Sequence, residues 1–196
     1  LAGSGTMTAD GGVSGYLGGG GGGGRVAIYY TTYSYSGTPT VTGGAAGAGG
    51  GAAGSAGSTY TLLLNQSPDV PNITSAQIGL VNGSSTGTNN PVFNFSLSDP
   101  DVDTVQYRIQ IDDSADFGSP IVDYTSALAA EGARTFQVGQ ALGGGAYLVG
   151  SVGQTLSNGS YYWRIKSIDA AAAASAYTTA NGGSVAFVVD TNLLQT

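Results

Sequence analysis

Residues 157–170 read SNGSYYWRIKSIDA, and this stretch sets the expected architecture. Asn158-Gly159 is a turn signal, and the residues after it alternate. Tyr161, Trp163 and Ile165 fall on one face, with Tyr162, Arg164 and Lys166 on the other, the period-two pattern of a strand buried on one side. The chain's single Trp sits at the centre of the run, where a large apolar ring can anchor a small sheet core.

Other runs can be laid against this strand. In PVFNFSLSD, residues 91–99, Phe93, Phe95 and Leu97 oppose Asn94 and Ser96. In TVQYRIQID, residues 104–112, Val105, Tyr107, Ile109 and Ile111 point inward, with Arg108 and Gln110 outward. ITSAQIGLV (73–81), PIVDY (120–124), RTFQVG (134–139), AYLVG (146–150) and SVAFVVD (184–190) supply the remainder, and VNGSSTGTNNP (81–91) reads as a loop. IDAAAAASAY (168–177) has alanine-based helix propensity but no broad apolar stripe, and it reads as a loop or short turn. Many short strands between polar turns predict an all-β chain with an antiparallel sandwich over residues 72–190. Its expected core is Phe93, Phe95, Tyr107, Ile109, Tyr161, Trp163, Ile165, Phe187 and Val189.

The composition changes near residues 65–72. Of 35 glycines, 21 precede residue 66, and Asp10 and Arg25 are the only charged side chains there. Pro68 and Pro71 in SPDVPNITS mark a linker at 66–71, and residues 191–196 read as a tail. Within residues 1–65, RVAIYYTTY, PTVTGG and STYTLLL favour short strands, and stretches such as AAGAGGGAAGSAG read as the turns between rungs of an irregular solenoid. So few rungs leave an open sheet edge, which another coil, another chain or the following domain must cover.

Two resemblances follow from these residues. The succession GGGGGGGRVAIYY, GTPTVTGG, GSAGSTYTLLL resembles glycine-rich segments of large bacterial surface proteins, which implies terminal coils of a parallel β-helix. LSNGSYYWRIKSIDA resembles the leucine-turn-tyrosine-strand segment of fibronectin type III-like, immunoglobulin-like domains of bacterial extracellular proteins. That resemblance implies a tyrosine corner at Leu156 and Tyr161, or at Tyr162 in a shifted register, with Trp163 and Ile165 continuing inward.

Composition narrows the function. A formal charge of −7 with only five scattered basic residues argues against nucleic acid as a partner. With neither Cys nor His, the chain has no thiolate nucleophile, imidazole base, disulfide or usual zinc site. The polyglycine run lacks the Lys-Ser/Thr ending of a phosphate loop, and an enzyme is not expected. There is no run of about 20 apolar residues to span a membrane. The opening LAGSGTMTADGG has neither an initiator Met nor a signal sequence, as expected of a piece processed from a longer polypeptide.

Asp99, Asp101 and Asp103 in SDPDVDT place hard oxygen ligands at alternating positions, a candidate structural calcium site to be weighed against solvated turn caps. Asp112, Asp113 and Asp116 form a second acidic group at the other end of the intervening strand. Val26, Ile28, Tyr29, Tyr30, Tyr33 and Tyr35 form the candidate interface, for contacts with copies of the chain or with adjacent domains. The expectation is therefore a structural subunit or module of an extracellular, cell-surface filament or adhesin, joined through strand contacts. The alternative is a glycan-binding accessory module of an extracellular enzyme.

Overall fold

Thirteen strands and two short 3₁₀ turns make up the regular structure of the computed structural model, which describes residues 1–73 and 80–194. The chain is all-β, and it divides into two compact units, Leu1–Asn65 and Gln66–Thr196.

The first unit holds β1 (Ala2–Gly3), β2 (Arg25–Tyr30), β3 (Ser34–Tyr35) and β4 (Ser58–Leu63). β1 pairs with β3 and β2 with β4, both in parallel. The register advances by 32 residues at Ala2↔Ser34 and by 33 at Arg25↔Ser58, so the unit is two coils of one winding. Asp10 ties the coils together, accepting hydrogen bonds from Thr40 Oγ1 (2.8 Å) and Thr42 N (2.7 Å). These bonds hold its carboxyl below the usual range.

Between the strands the chain does not simply turn, as AAGAGGGAAGSAG was expected to do. Residues 9–14, 18–24, 40–47 and 51–57 form extended rods outside any strand, with turns only at 16–17 and 48–50. Their hydrogen bonds advance by three residues. Gly20 and Gly23 donate to Ala52 and Ser55 (2.8 Å each), and Gly54 and Gly57 donate to Gly44 (2.9 Å) and Val41 (2.7 Å). A strand ladder repeats every two residues, whereas a three-residue repeat is that of polyproline II. Exposure follows the same period, with Gly51, Gly54 and Gly57 half-buried and both residues between each pair exposed. A Cβ at Gly47 or Gly54 would land on the backbone carbonyl of Gly15 or Gly21, well under 3.0 Å away. As along a collagen axis, only glycine lets the rods approach so closely. PTVTGG, expected as a strand, contributes one bridge, Thr8↔Thr40, and then runs on as a rod.

The second unit begins with β5 (Ser84–Thr86), β6 (Val92–Leu97), β7 (Val105–Asp112) and β8 (Val122–Thr125). It continues through β9 (Gly132–Gln137), β10 (Ala146–Val149), β11 (Gly159–Asp169), β12 (Thr178–Thr179) and β13 (Phe187–Val189). The larger sheet runs β10-β8-β7-β11-β13-β5 with β12 also on β11, and the smaller is the antiparallel pair β6–β9. Their apolar faces share one core. Phe93 meets the fully buried Trp163 edge-on at 5.0 Å, and Phe95 meets Tyr107 at 4.7 Å. All nine residues expected in the core are in it, joined by Phe136, Val138 and Leu156. The Trp163 indole N–H donates to Leu80 O (2.7 Å), and the Tyr161 hydroxyl donates to Ser157 O (2.9 Å).

β5 lies in the segment read as a loop. It is polar throughout, and its parallel pairing with β13 makes it a strand. The strand expected over ITSAQIGLV lies mostly outside the described residues, although Ile73, Leu80 and Val81 reach the core. IDAAAAASAY forms a turn and one bridge, Ile168↔Ala174, with no helix. Residues 191–194 are a 3₁₀ turn, held where Thr191 N and Oγ1 donate to Asn158 Oδ1 (3.1 Å each).

Candidate interaction surfaces

The six candidate interface residues divide between interior and surface. Ile28 and Tyr35 are buried, and the Tyr35 hydroxyl donates to Gly5 O at 2.6 Å. Val26 and Tyr30 are half-buried, which leaves Tyr29 and Tyr33 as the exposed members. Ring pairs in this region meet at 44° (Tyr30–Tyr33), 60° (Tyr29–Tyr60) and 76° (Tyr33–Tyr35), whereas a flat sugar-stacking platform would need coplanar rings.

β4 carries the larger surface, and the sequence reading did not single it out. All six of its residues are exposed, and Tyr60, Leu62, Leu63 and the following Leu64 are each 40–42 % accessible. The amides of Ser58 and Leu64 donate to Gly24 and Tyr30 in and beside β2. The two-residue period of a strand then turns the backbone groups of Thr59, Thr61 and Leu63 to the opposite edge. No strand among the described residues pairs with that edge. STYTLLL shows its apolar residues plainly, but only the coil arrangement reveals that the second coil leaves them uncovered.

The acidic loop is organised by hydrogen bonds to its own chain. Asp101 accepts from Gln66 N (2.5 Å) and Gln66 Nε2 (3.0 Å), and Asp99 Oδ1 accepts from Asp101 N (2.8 Å). Asp99 N in turn donates to Glu131 (2.9 Å). Among the described residues no three acidic groups converge as a metal cage would need. β7 separates this loop from Asp112, Asp113 and Asp116, as the sequence spacing implied.

Asp99 itself is buried, and its Oδ2 meets no hydrogen-bond partner. Burial first, and then the neighbouring carboxylates, push its pKa above the ordinary 3.8. An acid whose folded pKa is raised binds more proton folded than unfolded, so its contribution to stability falls as pH rises from 3.8 through the folded midpoint. Asp99→Asn keeps the Oδ1 acceptor and removes the charge. The variant's stability relative to the parent should therefore rise between about pH 3 and about pH 7, read by urea unfolding at each pH. An unchanged difference would refute the raised pKa.

A polar network covers the outer face of β7, β8 and β11. Arg108 pairs with buried Asp123 through Nε (2.8 Å) and Nη2 (2.5 Å), and Gln110 Nε2 donates to the same carboxylate (2.7 Å). Gln110, expected outside, does face outward but is buried beneath this network. Arg164 donates to Gln110 Oε1 (2.7 Å) and lies 4.3 Å from the ring centres of both Phe117 and Tyr177. Lys166 stands 5.1 Å from the Tyr177 ring. Sequence alternation puts the basic residues on one face, but Tyr177 reaches them only through the turn after β11.

Comparison with protein-family models, curated proteins and solved structures returns no match. Among the described residues no helix is long and apolar enough to cross a membrane.

Proposed function

We propose that this chain is a structural module of an extracellular surface assembly, joined to its neighbour by strand addition along β4. The observation that carries this reading is an outer strand whose six residues are all exposed, Tyr60, Leu62 and Leu63 among them, with an edge that no described strand covers. Exposed apolar edges of this kind readily accept another chain. The 32–33-residue register supplies the geometry, because the first coil of a second copy can follow the second coil of this one in the same parallel sense. Such a contact joins unlike surfaces, so it propagates into a line instead of closing into a dimer.

The second unit, in this reading, is a fibronectin type III-like sandwich that spaces the joints and presents polar loops. The Tyr161–Ser157 hydrogen bond beside buried Leu156 and the core shared by two sheets support that assignment. The role is mechanical, and the Cys-free, low-charge composition fits an exposed location.

Thr61→Pro tests the joint directly. The Thr61 amide points away from β2, so proline removes only an outward donor and blocks further pairing. The parent chain should show end-to-end particles by electron microscopy and concentration-dependent sedimentation. Thr61→Pro should weaken association by at least about tenfold with unfolding unchanged. A parent chain that stays monomeric at every concentration would end the proposal.

A further inference from the structure

A cavity of about 730 Å³ lies in the second unit against β6, β9 and the inward side chains of β7 and β8. That volume suits a small ligand. Phe95, Tyr107 and Tyr124, all buried, form its aromatic floor. Arg134 on β9 stands directly opposite Phe95 on β6. Directly paired residues of an antiparallel ladder project to the same face, so Arg134, half-buried, leaves its strand on the side that carries Phe95.

Among the described residues that line this cavity, Arg134 is the only charged one. Its Nη1 donates to the carbonyl of the adjacent Ala133 (3.0 Å), and it forms no salt bridge among the described residues. Nearby Glu131 is already engaged with Asp99 N. In a chain with 12 acidic and five basic residues, a cavity whose sole charge is positive is an electrostatic exception. The other polar groups are neutral. The Tyr107 hydroxyl, whose pKa burial pushes up to about 12, donates to Thr135 O (3.1 Å), and the Gln140 amide lies 3.5 Å from it.

We propose that this cavity binds a small organic carboxylate, its charged group on Arg134 and its ring on the Phe95–Tyr107–Tyr124 floor. A guanidinium offers a carboxylate two parallel donors in a fixed fork, so the pairing is geometrically specific as well as charge-assisted. Ring-bearing acids of this size include aromatic acids and uronic sugars, which share the recognised chemistry. The competing role for Arg134 is to guard the edge strand β9 against unwanted pairing, and that role requires no ligand. The inference is independent of assembly, since the cavity lies wholly within the second unit.

The test titrates the full chain with benzoate and with glucuronate, each beside its neutral counterpart, benzyl alcohol or glucose. Binding is read by calorimetry and by the NMR signals of the cavity aromatics. At least one carboxylate should bind saturably, at least about tenfold more tightly than its neutral counterpart, and more weakly as salt rises. Which acid binds separates the aromatic from the sugar source. Arg134→Gln should erase the preference for the charged partner, and Arg134→Lys should keep part of it. Failure of both acids to bind, equal binding of the neutral compounds, or an undiminished preference in a folded Arg134→Gln chain would each overturn the proposal and leave edge protection as the role of Arg134.

Discussion

Trp163→Ala is expected to destabilise the second unit by about 3–5 kcal/mol, a large part of the stability of an ordinary domain. The ring is fully buried at the centre of β11, edge-on to Phe93 at 5.0 Å, and its N–H is bonded to Leu80 O at 2.7 Å. Truncation removes that contact area and opens a cavity that the surrounding strands cannot close without breaking their ladders. The melting temperature should fall by roughly 10–20 °C. Because Trp163 is the only Trp, unfolding must be followed by circular dichroism or calorimetry and not by indole fluorescence. Trp163→Phe separates the two contributions, because it keeps an aromatic ring while leaving the Leu80 carbonyl without its indole donor. It should cost about 1–3 kcal/mol. A loss below about 1 kcal/mol for Trp163→Ala would mean that the two sheets do not depend on this ring.

Gly54→Val should disrupt the rods of the first unit, at a cost of about 3 kcal/mol or more. The new Cβ would fall on the carbonyl oxygen and carbon of Gly21. Both atoms are backbone, so no flexible side chain can swing aside. Relief requires residues 51–57 to separate from residues 18–24, with loss of the Gly20–Ala52 and Gly23–Ser55 hydrogen bonds. Hydrogen exchange checks this, because amide protection at Gly20 and Gly23 should disappear. Protection in β7 and β11 should be retained. The neighbouring Ala53 is exposed, and Ala53→Val places the same valine side chain outside the packed line, so it should leave protection unchanged. Retained protection in Gly54→Val would show that the rods tolerate a side chain at their contact.

The second unit was largely legible because its strands carry their burial in the side chains. Trp163, Ile165, Phe93 and Phe95 alternate with polar neighbours, and a strand has only two faces on which to put them. β5 was not legible for the same reason. Ser84–Thr86 has no apolar residue to signal burial, and only the neighbouring β13 recruits it. In the first unit the informative pattern is an absence of side chains at every third position, as in Gly51, Gly54 and Gly57. Periods of two and 3.6 residues do not detect it. The candidate interface was legible as an aromatic cluster but not in its exposure. Ile28 and Tyr35 turn inward, while the plainer STYTLLL run occupies the uncovered strand.

By itself, then, the sequence determined the all-β character, the apolar residues around Trp163, and the break in composition near residue 65. Each of these depends on local chemistry: alternation, bulk, and the distribution of glycine. Tertiary structure alone decided the 32–33-residue winding, the uncovered edge of β4 and the meeting of Arg134 with Phe95, Tyr107 and Tyr124 around one cavity. These arise where segments distant in sequence meet, and a backbone carbonyl facing a glycine or a basic residue sharing a cavity with aromatic ones leaves no periodic trace in either segment.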